Sequence, residues 1–246
     1  MNIHVPPDSR PCVCIVIPAL NEEDAIGDVL RDLSRHTAPN LNAHVIVCDN
    51  ASTDGTAAVA ASHGAIVVHE RERGYGAACL RALQEARLYA PDVVVFIDAD
   101  YSDFPEEMLL LLAPILSGAA DMVIGSRALG DRLGKVQKGA FLPQARFGNW
   151  LATTLIRLLW GAQFSDLGPF RALRFDALES LQMRDRNFGW TVEMQIKAAK
   201  QRLRCMEIPV SYRARVGHSK ITGTLKGTIL AGYKILLTIF RYALQK

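Results

Sequence analysis

The chain contains two aspartates, Asp98 and Asp100, which are separated by a single alanine at the end of the apolar run DVVVFIDAD. Such a run of Val, Phe and Ile is typical of a strand buried on both faces, and open α/β sheets bind ligands at the carboxyl ends of their strands. Hard cations such as Mg²⁺ or Mn²⁺ prefer oxygen ligands and keep positions open for phosphate oxygens. The pair therefore predicts a site for a divalent cation and a polyphosphate.

A simpler interpretation is that these acids cap the helix that follows. Ser102 or Asp103 would suit such a cap, because Pro105 is typical of a first helical position. Capping leaves Asp98 and Asp100 without a role, so the metal interpretation is favoured.

The elements that must position these acids alternate along the first half of the chain. Strand-like segments (CVCIVIPAL, AHVIVCDN, AIVVHER, DVVVFIDAD) alternate with helix-like ones (DAIGDVLRDLSRH, TDGTAAVAASHG, GYGAACLRALQEAR). This alternation predicts βαβ units and an α/β fold with a mostly parallel central sheet flanked by helices, which is a nucleotide-binding type of scaffold.

The second half is less regular at its start. Residues 127–146 are basic and show little periodicity, which predicts a mobile loop, either a solvated connection or a lid over a diphosphate. Helices are then predicted at FGNWLATTLIRLLW and GWTVEMQIKAAKQ, and strands at GPFRALRF and RCMEIPVSYRAR. With no repeat and no linker, residues 1–221 form one predicted domain, with a half of nucleotide-binding type (11–126) and a second half of different character (127–221).

Composition indicates a globular protein that can bury a core, because half of the 246 residues are hydrophobic and 22% are charged. None of the five cysteines forms a CxxC pair, and most lie in apolar runs, so they are interpreted as reduced core residues of a reducing compartment. The first residues lack a basic region followed by an apolar segment. A cytoplasmic location is predicted.

Charge is distributed unevenly between the two halves. Residues 1–126 hold 7 Arg, no Lys and 18 acids, whereas the remainder holds 21 basic residues and 7 acids. The basic half suits anionic substrates, phosphate groups or an acidic membrane surface. No helix-turn-helix, zinc-ligand spacing or RNA-binding aromatic signature accompanies the basic residues, so a nucleic-acid partner is not expected.

The carboxyl-terminal segment, 222–246, predicts an amphipathic helix. Lys226, Lys234 and Arg241 fall within a sector of roughly 80° on an otherwise apolar helix. These charges interrupt it too often for a segment that spans a bilayer. The helix is expected either to lie on a membrane surface or to pack on the domain or on a second subunit, and both alternatives are open.

The order of the motifs resembles family 2 glycosyltransferases of the GT-A fold. The motifs are IVIPALNEE, VCDNASTDGT, RGYGAA, FIDADYSDFPEE, VIGSR, SDLGPFRA and RARVGHSK, over residues 11–221. They look most like the branch of dolichyl- and polyprenyl-phosphate mannosyl- or glucosyltransferases. The resemblance implies a nucleotide-sugar donor such as GDP-mannose or UDP-glucose, a Mg²⁺ or Mn²⁺ cofactor, and inversion at the anomeric carbon.

The resemblance also implies roles for individual residues. Asp98 and Asp100 match the metal-binding pair. Positions that hold the nucleoside are matched by Pro18, Leu20, Glu22 and Asp49. Basic positions near the acceptor phosphate are matched by Arg127 and Arg171, and the run near the phosphates is matched by Arg215, Ser219 and Lys220.

The chain departs from the family pattern at four places. Asn50 replaces an acid, Ser102 replaces a frequent metal-ligand Gln, and Asp103 replaces a frequent His. The segment 166–171 is one residue shorter than the common D-x-T-S-G-F-R. The first three departures concern the metal and donor shell, and the last concerns the acceptor.

The leading hypothesis is transfer of a hexose to a polyprenyl or dolichyl phosphate at the inner face of the membrane. Asp100, Arg171 and Glu193 are the predicted catalytic residues. A lipid phosphate is already anionic and requires no strong base, whereas a hydroxyl acceptor requires a carboxylate, for which Glu193 and Asp166 are candidates. The alternatives are transfer to a hydroxyl and a catalytically silent nucleotide-sugar-binding subunit. A homo-oligomer or a membrane-anchor subunit is a further possible partner.

Overall fold

A computed structural model describes residues 10–217 and 225–244. Within them a seven-stranded sheet is flanked by helices. The strands are Cys12–Ala19 (β1), Asn42–Asp49 (β2), Ile66–His69 (β3), Val93–Phe96 (β4), Met122–Ser126 (β5), Arg171–Arg174 (β6) and Cys205–Pro209 (β7). The α-helices are Glu23–His36 (α1), Thr56–Ser62 (α2), Tyr75–Ala86 (α3), Met108–Leu116 (α4), Arg127–Arg132 (α5), Pro143–Trp160 (α6), Phe175–Leu181 (α7), Trp190–Lys200 (α8) and Leu225–Leu244 (α9).

The strand order is β3-β2-β1-β4-β6-β5-β7. All neighbours are parallel except β6, which runs antiparallel to both β4 and β5. The prediction of a mostly parallel sheet flanked by helices is confirmed. Because β1, β2 and β4 are parallel and adjacent, the polar residues that follow them in the sequence meet at one edge of the sheet.

The core lies on both faces of the sheet, as the apolar strands predict. In β1, Ile15 and Ile17 pack with Ile26 of α1 on one face, while Cys14 packs with Ala82 of α3 on the other. Full burial of each such Ile side chain stabilises the fold by roughly 1.5–3 kcal/mol. The five cysteines are free; Cys14, Cys48 and Cys79 are buried, whereas Cys12 and Cys205 are only partly buried.

The prediction of an irregular segment over 127–146 was wrong at both ends. Helix α5 forms at its start because the Ser126 hydroxyl accepts a hydrogen bond from the Leu129 amide (3.0 Å). Gly130 lets this helix approach β7, since a Cβ there would lie 1.9 Å from the Val210 carbonyl oxygen. Helix α6 begins at Pro143, so only 133–142 remain irregular.

Asp121, just before β5, joins this strand to β7. It accepts hydrogen bonds from the Arg204 amide (2.9 Å) and guanidinium (2.7 and 3.0 Å), which lower the pKa of Asp121 to about 2. A carboxyl group whose pKa is lowered by folding stabilises the protein at pH values above its pKa in the unfolded chain. This contribution disappears as the pH falls through the pKa of the folded state.

We therefore expect Asp121→Asn to lower the unfolding free energy by about 1 kcal/mol at pH 7, a value that allows for solvent screening of the half-exposed Arg204. The loss should shrink towards pH 2, as measured by urea denaturation. Asp176→Asn, at an exposed carboxylate that also contacts an arginine, is the matched control and should change stability by less. Equal losses for both variants, or a loss at Asp121 that is constant with pH, would contradict this assignment.

Candidate functional site

The edge formed by β1, β2 and β4 carries a cavity of about 440 Å³. Its walls come from the end of β1, the residues that follow the three strands, the amino end of α3, the segment before α8, and Arg215 from the segment after β7. They include Pro18, Leu20, Asn21, Glu22, Asn50, Gly74, Tyr75, Asp98, Asp100, Asn187, Phe188 and Arg215. Most of the predicted donor-site residues thus meet in one place.

The acid pair is oriented by specific hydrogen bonds. The Tyr75 hydroxyl donates to Asp98 Oδ1 (3.1 Å), and the Ser102 amide donates to Asp100 Oδ1 (3.0 Å). Burial and, secondarily, the Asp100 charge raise the pKa of Asp98 to about 7. Arg215 lies between the acids, with its guanidinium 3.2 Å from Asp100 Oδ2 and 2.8 Å from Glu22 Oε1.

A third carboxylate, Asp103, lies beside the pair and is 2% exposed. Neither of its oxygens makes a hydrogen bond of normal geometry with a described residue, and burial together with Asp98 and Asp100 raises its pKa well above the ordinary value. This excess of buried carboxylate oxygen fits a hard dication. Neither Asp103 nor Ser102 caps the following helical turn, so the capping interpretation is not supported.

The ligands from the chain are nevertheless too few to hold an ion by themselves. Across residues 10–217 and 225–244, no three His, Cys, Asp or Glu side chains are arranged to hold a metal. The site supplies a pair of oriented carboxylates, Asp98 and Asp100. Remaining positions on an ion would be taken by oxygens of a ligand or by water.

Asp49 and Asn50, at the end of β2, differ in their contacts. Asp49 accepts hydrogen bonds from the Ser52 amide (3.2 Å) and lies 3.1 Å from His69 Nδ1. The Asn50 amide oxygen accepts from the Gly74 amide (2.7 Å), so Asn50 fixes the turn that begins α3. Sequence reasoning treated Asn50 only as a departure from the pattern and did not find this role.

Arg127 and Asp166 form a buried pair. The Arg127 amide and guanidinium donate to Asp166 at 2.7 to 2.9 Å, and Asp166 is fully buried. The guanidinium lies 4.9 Å from the Phe141 ring centroid and 5.2 Å from that of Tyr212. The carboxylate of Asp166 is therefore paired with the Arg127 guanidinium, and a carboxylate paired in this way does not suit a general base.

A second cavity, of about 510 Å³, adjoins the first. The two share Tyr75, Asp98 and Phe188. The second cavity is lined by side chains of α6, α8 and α9, by Arg127 of α5, and by the loops before α6 and β6. Most of them are apolar: Phe141, Phe147, Leu151, Leu167, Pro169, Trp190, Ile235 and Leu236, with Arg127 and Gln144 among the polar ones. An apolar cavity thus opens beside the acid pair.

Arg171 does not occupy the predicted place near a substrate phosphate. Its guanidinium is fully buried and donates to the carbonyl oxygens of Gly168 (3.0 Å), Leu167 (3.1 Å) and Thr191 (3.3 Å), and burial lowers its pKa to about 10. These contacts hold the 167–168 turn against α8. The predicted catalytic role does not fit this position, because no part of the side chain is exposed to a ligand.

Glu193 is likewise enclosed, with 1% of its surface exposed. It accepts hydrogen bonds from the Asp185 amide (2.6 Å) and the Tyr242 hydroxyl (2.6 Å), and Lys197 Nζ lies 2.7 Å away. Hydrogen bonds from Lys197 and then Tyr242 outweigh burial and lower its pKa. A carboxylate held by this many donors is a poor proton acceptor, so the predicted catalytic role does not fit here either.

Two predicted phosphate-binding residues, Ser219 and Lys220, lie outside the described residues. The predicted carboxyl-terminal helix is α9, Leu225–Leu244. In the part of the chain that the structure describes, neither α9 nor any other helix has the length and hydropathy needed to cross a membrane.

Comparison with known proteins gives consistent results. Residues 14–182 match the family model for glycosyl transferase family 2. An uncharacterized glycosyltransferase of Mycobacterium tuberculosis is 36% identical over 89% of this chain and 94% of its own length. A dolichyl-phosphate hexose transferase of Haloferax volcanii is 32% identical over 85% and 86% of the two chains. An undecaprenyl-phosphate mannosyltransferase of Micrococcus luteus is 29% identical over 87% and 89%.

The fold is similar to that of a solved enzyme. Glucosyl-3-phosphoglycerate synthase from Mycobacterium tuberculosis, crystallised with Mn²⁺, uridine diphosphate and phosphoglyceric acid, superposes with a TM-score of 0.75. The match covers 96% of this chain and 79% of that chain at 23% sequence identity.

Proposed function

This chain belongs to glycosyltransferase family 2 with the GT-A fold, and we propose that it transfers a hexose from a nucleotide sugar to a polyprenyl or dolichyl phosphate, with inversion. The observation that carries the proposal is the apolar cavity that opens directly beside the acid pair. A donor with a diphosphate and an acceptor with a long apolar tail require these two environments side by side.

On the donor side, Asp98 and Asp100 would hold Mg²⁺ or Mn²⁺ together with the diphosphate. When bound, the ion offsets the negative charge that develops on the leaving nucleoside diphosphate. Arg215 already contacts Asp100 and Glu22, so its guanidinium is placed to bind the same phosphates without a large rearrangement. Pro18, Leu20, Glu22 and Asp49 are proposed to enclose the nucleoside.

On the acceptor side, the apolar cavity would take the first isoprene units, and Arg127 in its wall would attract the phosphate. A phosphate oxygen is already anionic at neutral pH and attacks without a general base. A hydroxyl acceptor would need a carboxylate base, for which Asp166 and Glu193 are the candidates. Both are buried and hydrogen-bonded to other side chains, so neither is available as a base. The lipid acceptor is therefore favoured over a hydroxyl.

Two of the helices that line this cavity, α6 and α9, also suit a membrane surface. Eight exposed Leu, Phe and Trp side chains lie on α6 and α9: Phe147, Trp150, Leu158, Leu159, Leu230, Leu237, Phe240 and Leu244. Neither helix contains an acid. We propose that this face rests in the headgroup region of an anionic bilayer, so that the acceptor enters the cavity directly from the membrane.

Flotation with vesicles tests the membrane contact. The wild-type protein should float with vesicles that contain anionic phospholipid. Trp150→Glu should weaken this binding about tenfold, since a charge replaces an exposed indole that the proposed contact would bury in the bilayer. Leu88→Glu is the matched control, because Leu88 is 75% exposed and lies outside both helices. Equal binding by both variants would contradict the proposed face.

The experiment that tests the function is transfer of radiolabelled hexose from GDP-mannose or UDP-glucose in the presence of Mn²⁺ and a polyprenyl phosphate. Label should pass into the organic phase, and chelation of the metal should prevent this. Label that appears only in water-soluble products would reject the lipid acceptor, and no transfer from any nucleotide-sugar donor would reject the enzyme assignment. A location at the inner membrane face, a homo-oligomer and a membrane-anchor subunit stay predictions.

A further inference from the structure

We propose that Lys234 and Tyr242 of α9 are positioning residues for the donor site. They hold segment 184–190 in place through Asp185 and Glu193, and this segment in turn sets the position of Tyr75, which orients the metal-binding carboxylate. The inference rests on the proposed donor site. It gives Glu193 a role that its buried position allows, and it makes the last helix part of the nucleotide-binding machinery.

The first link joins α9 to two buried carboxylates. The Tyr242 hydroxyl donates to Glu193 Oε1 (2.6 Å), and Lys234 Nζ lies 3.1 Å from Asp185 Oδ2. Ile239, between them in the sequence, is fully buried, so this face of α9 packs on the domain. Both carboxylates are at least nine-tenths buried, and charge-assisted hydrogen bonds in such surroundings are strong.

The second link joins these carboxylates to the backbone of segment 184–190. Glu193 accepts hydrogen bonds from the amides of Arg184 (3.2 Å) and Asp185 (2.6 Å). Asp185 Oδ1 accepts from the amides of Asn187 (2.7 Å) and Gly189 (3.1 Å). Residues 184–189 lack regular secondary structure, so these side chains replace the backbone hydrogen bonds that a helix or strand would supply.

The third link joins the segment to the donor site. The Arg186 carbonyl oxygen accepts from the Ala77 amide in the first turn of α3 (2.9 Å). Gly76 permits this approach, because a Cβ there would lie 2.0 Å from the Asp185 carbonyl oxygen. Tyr75, the first residue of α3, donates to Asp98 (3.1 Å). A shift of the segment would therefore move the hydroxyl that orients Asp98.

The segment also contributes directly to both cavities. Asn187 and Phe188 line the donor cavity, and Phe188 lines the apolar cavity as well. Loosening the segment should therefore affect nucleotide binding before it affects the sheet, whose strands make no hydrogen bonds with it in the described residues.

The test uses three variants: Tyr242→Phe, Lys234→Met and the double variant that combines them. Each is compared with a control variant, Tyr233→Phe. Tyr233 lies on the same helix, is 64% exposed and makes no hydrogen bond among the described residues, so it is the matched control. We expect titration calorimetry with Mn²⁺ and uridine or guanosine diphosphate to show about tenfold weaker nucleotide binding by the double variant and unchanged binding by the control. The donor KM should rise more than kcat falls. Glu193→Gln should act in the same way, whereas a general base at this position would lose kcat with unchanged nucleotide affinity.

Hydrogen exchange in the ligand-free protein measures the linkage itself. Amides of 184–190 and of the first turn of α3 should exchange at least about tenfold faster in the double variant, while β1 and β4 stay protected. This result is independent of whether any sugar is transferred, so failure of the proposed function and failure of this inference can be told apart. If the double variant does not fold, Tyr242→Phe, which removes one oxygen, carries the test. Unchanged exchange in 184–190 together with nucleotide affinity within twofold of the wild type would overturn the proposal.

Discussion

Asp98→Asn should reduce hexose transfer at least about a thousandfold in kcat/KM, because it removes a charged ligand of the ion that offsets charge on the leaving diphosphate. The fold should be unharmed. Burial and the nearby Asp100 raise the pKa of Asp98 to about 7. A carboxyl group whose pKa is raised by folding destabilises the native state once the pH exceeds its pKa in the unfolded chain. The destabilisation reaches its full size above the pKa of the folded state. A neutral amide removes this cost, so the metal-free variant should be as stable as the wild type at pH 8, or more stable.

The measurement is a pair of thermal melts at pH 8 beside the transfer assay. Mn²⁺ with a nucleoside diphosphate should raise the melting temperature of the wild type but not of Asp98→Asn, since a ligand stabilises only the state that binds it. Asp176→Asn, which replaces an exposed carboxylate near the opposite end of the sheet, should keep both activity and the ligand-induced shift. A fully active Asp98→Asn protein would reject the metal assignment.

The sequence predicted the position of Asp98 well because its signal is local. An apolar run followed by acids describes a buried strand and the edge where it ends, and the parallel order of β1, β2 and β4 brings the neighbouring polar segments to that edge. The alternating pattern also located the helices of the first half to within a few residues.

The roles of Arg171 and Glu193 could not be predicted in the same way. A motif specifies residue types in order, but the direction of a side chain depends on packing. Arg171 lies on the antiparallel strand β6, and its guanidinium satisfies carbonyl oxygens of the 167–168 turn and of α8. The partners of Glu193 include Tyr242, which is 49 residues away. Such contacts are set by tertiary structure alone.

The same reason explains the features that were missed. Tyr75 is 23 residues from Asp98, and Asn50 is 24 residues from Gly74, so neither hydrogen bond has a local signature. Helix α5 has a serine cap that could have been recognised, but its short length hid any periodicity. Its fit against Val210 depends on Gly130 and on the placement of β7.

The second large effect is on stability. Asp166→Ala should lower the free energy of unfolding by about 3 kcal/mol, because it leaves the Arg127 guanidinium and amide without their partner in a site where Asp166 is fully buried. This is the lower end of what loss of one partner of a buried ion pair costs, since the Arg127 side chain is 16% exposed and water can reach part of it. Urea denaturation measures the change, and Asp176→Asn again serves as the exposed control.

A double variant separates the structural role of this pair from its proposed part in acceptor binding. Arg127→Met/Asp166→Leu removes both charges and keeps similar volumes, so it should recover most of the stability that Asp166→Ala loses. It should not recover transfer to polyprenyl phosphate, because Arg127 is the cation proposed to attract the phosphate, and the acceptor KM should rise about tenfold or more. Donor affinity, which depends on Asp98, Asp100 and Arg215, should change little. If the stable double variant used the lipid acceptor as well as the wild type does, the arginine would only support the fold, and the acceptor phosphate would have to bind elsewhere along the cavity.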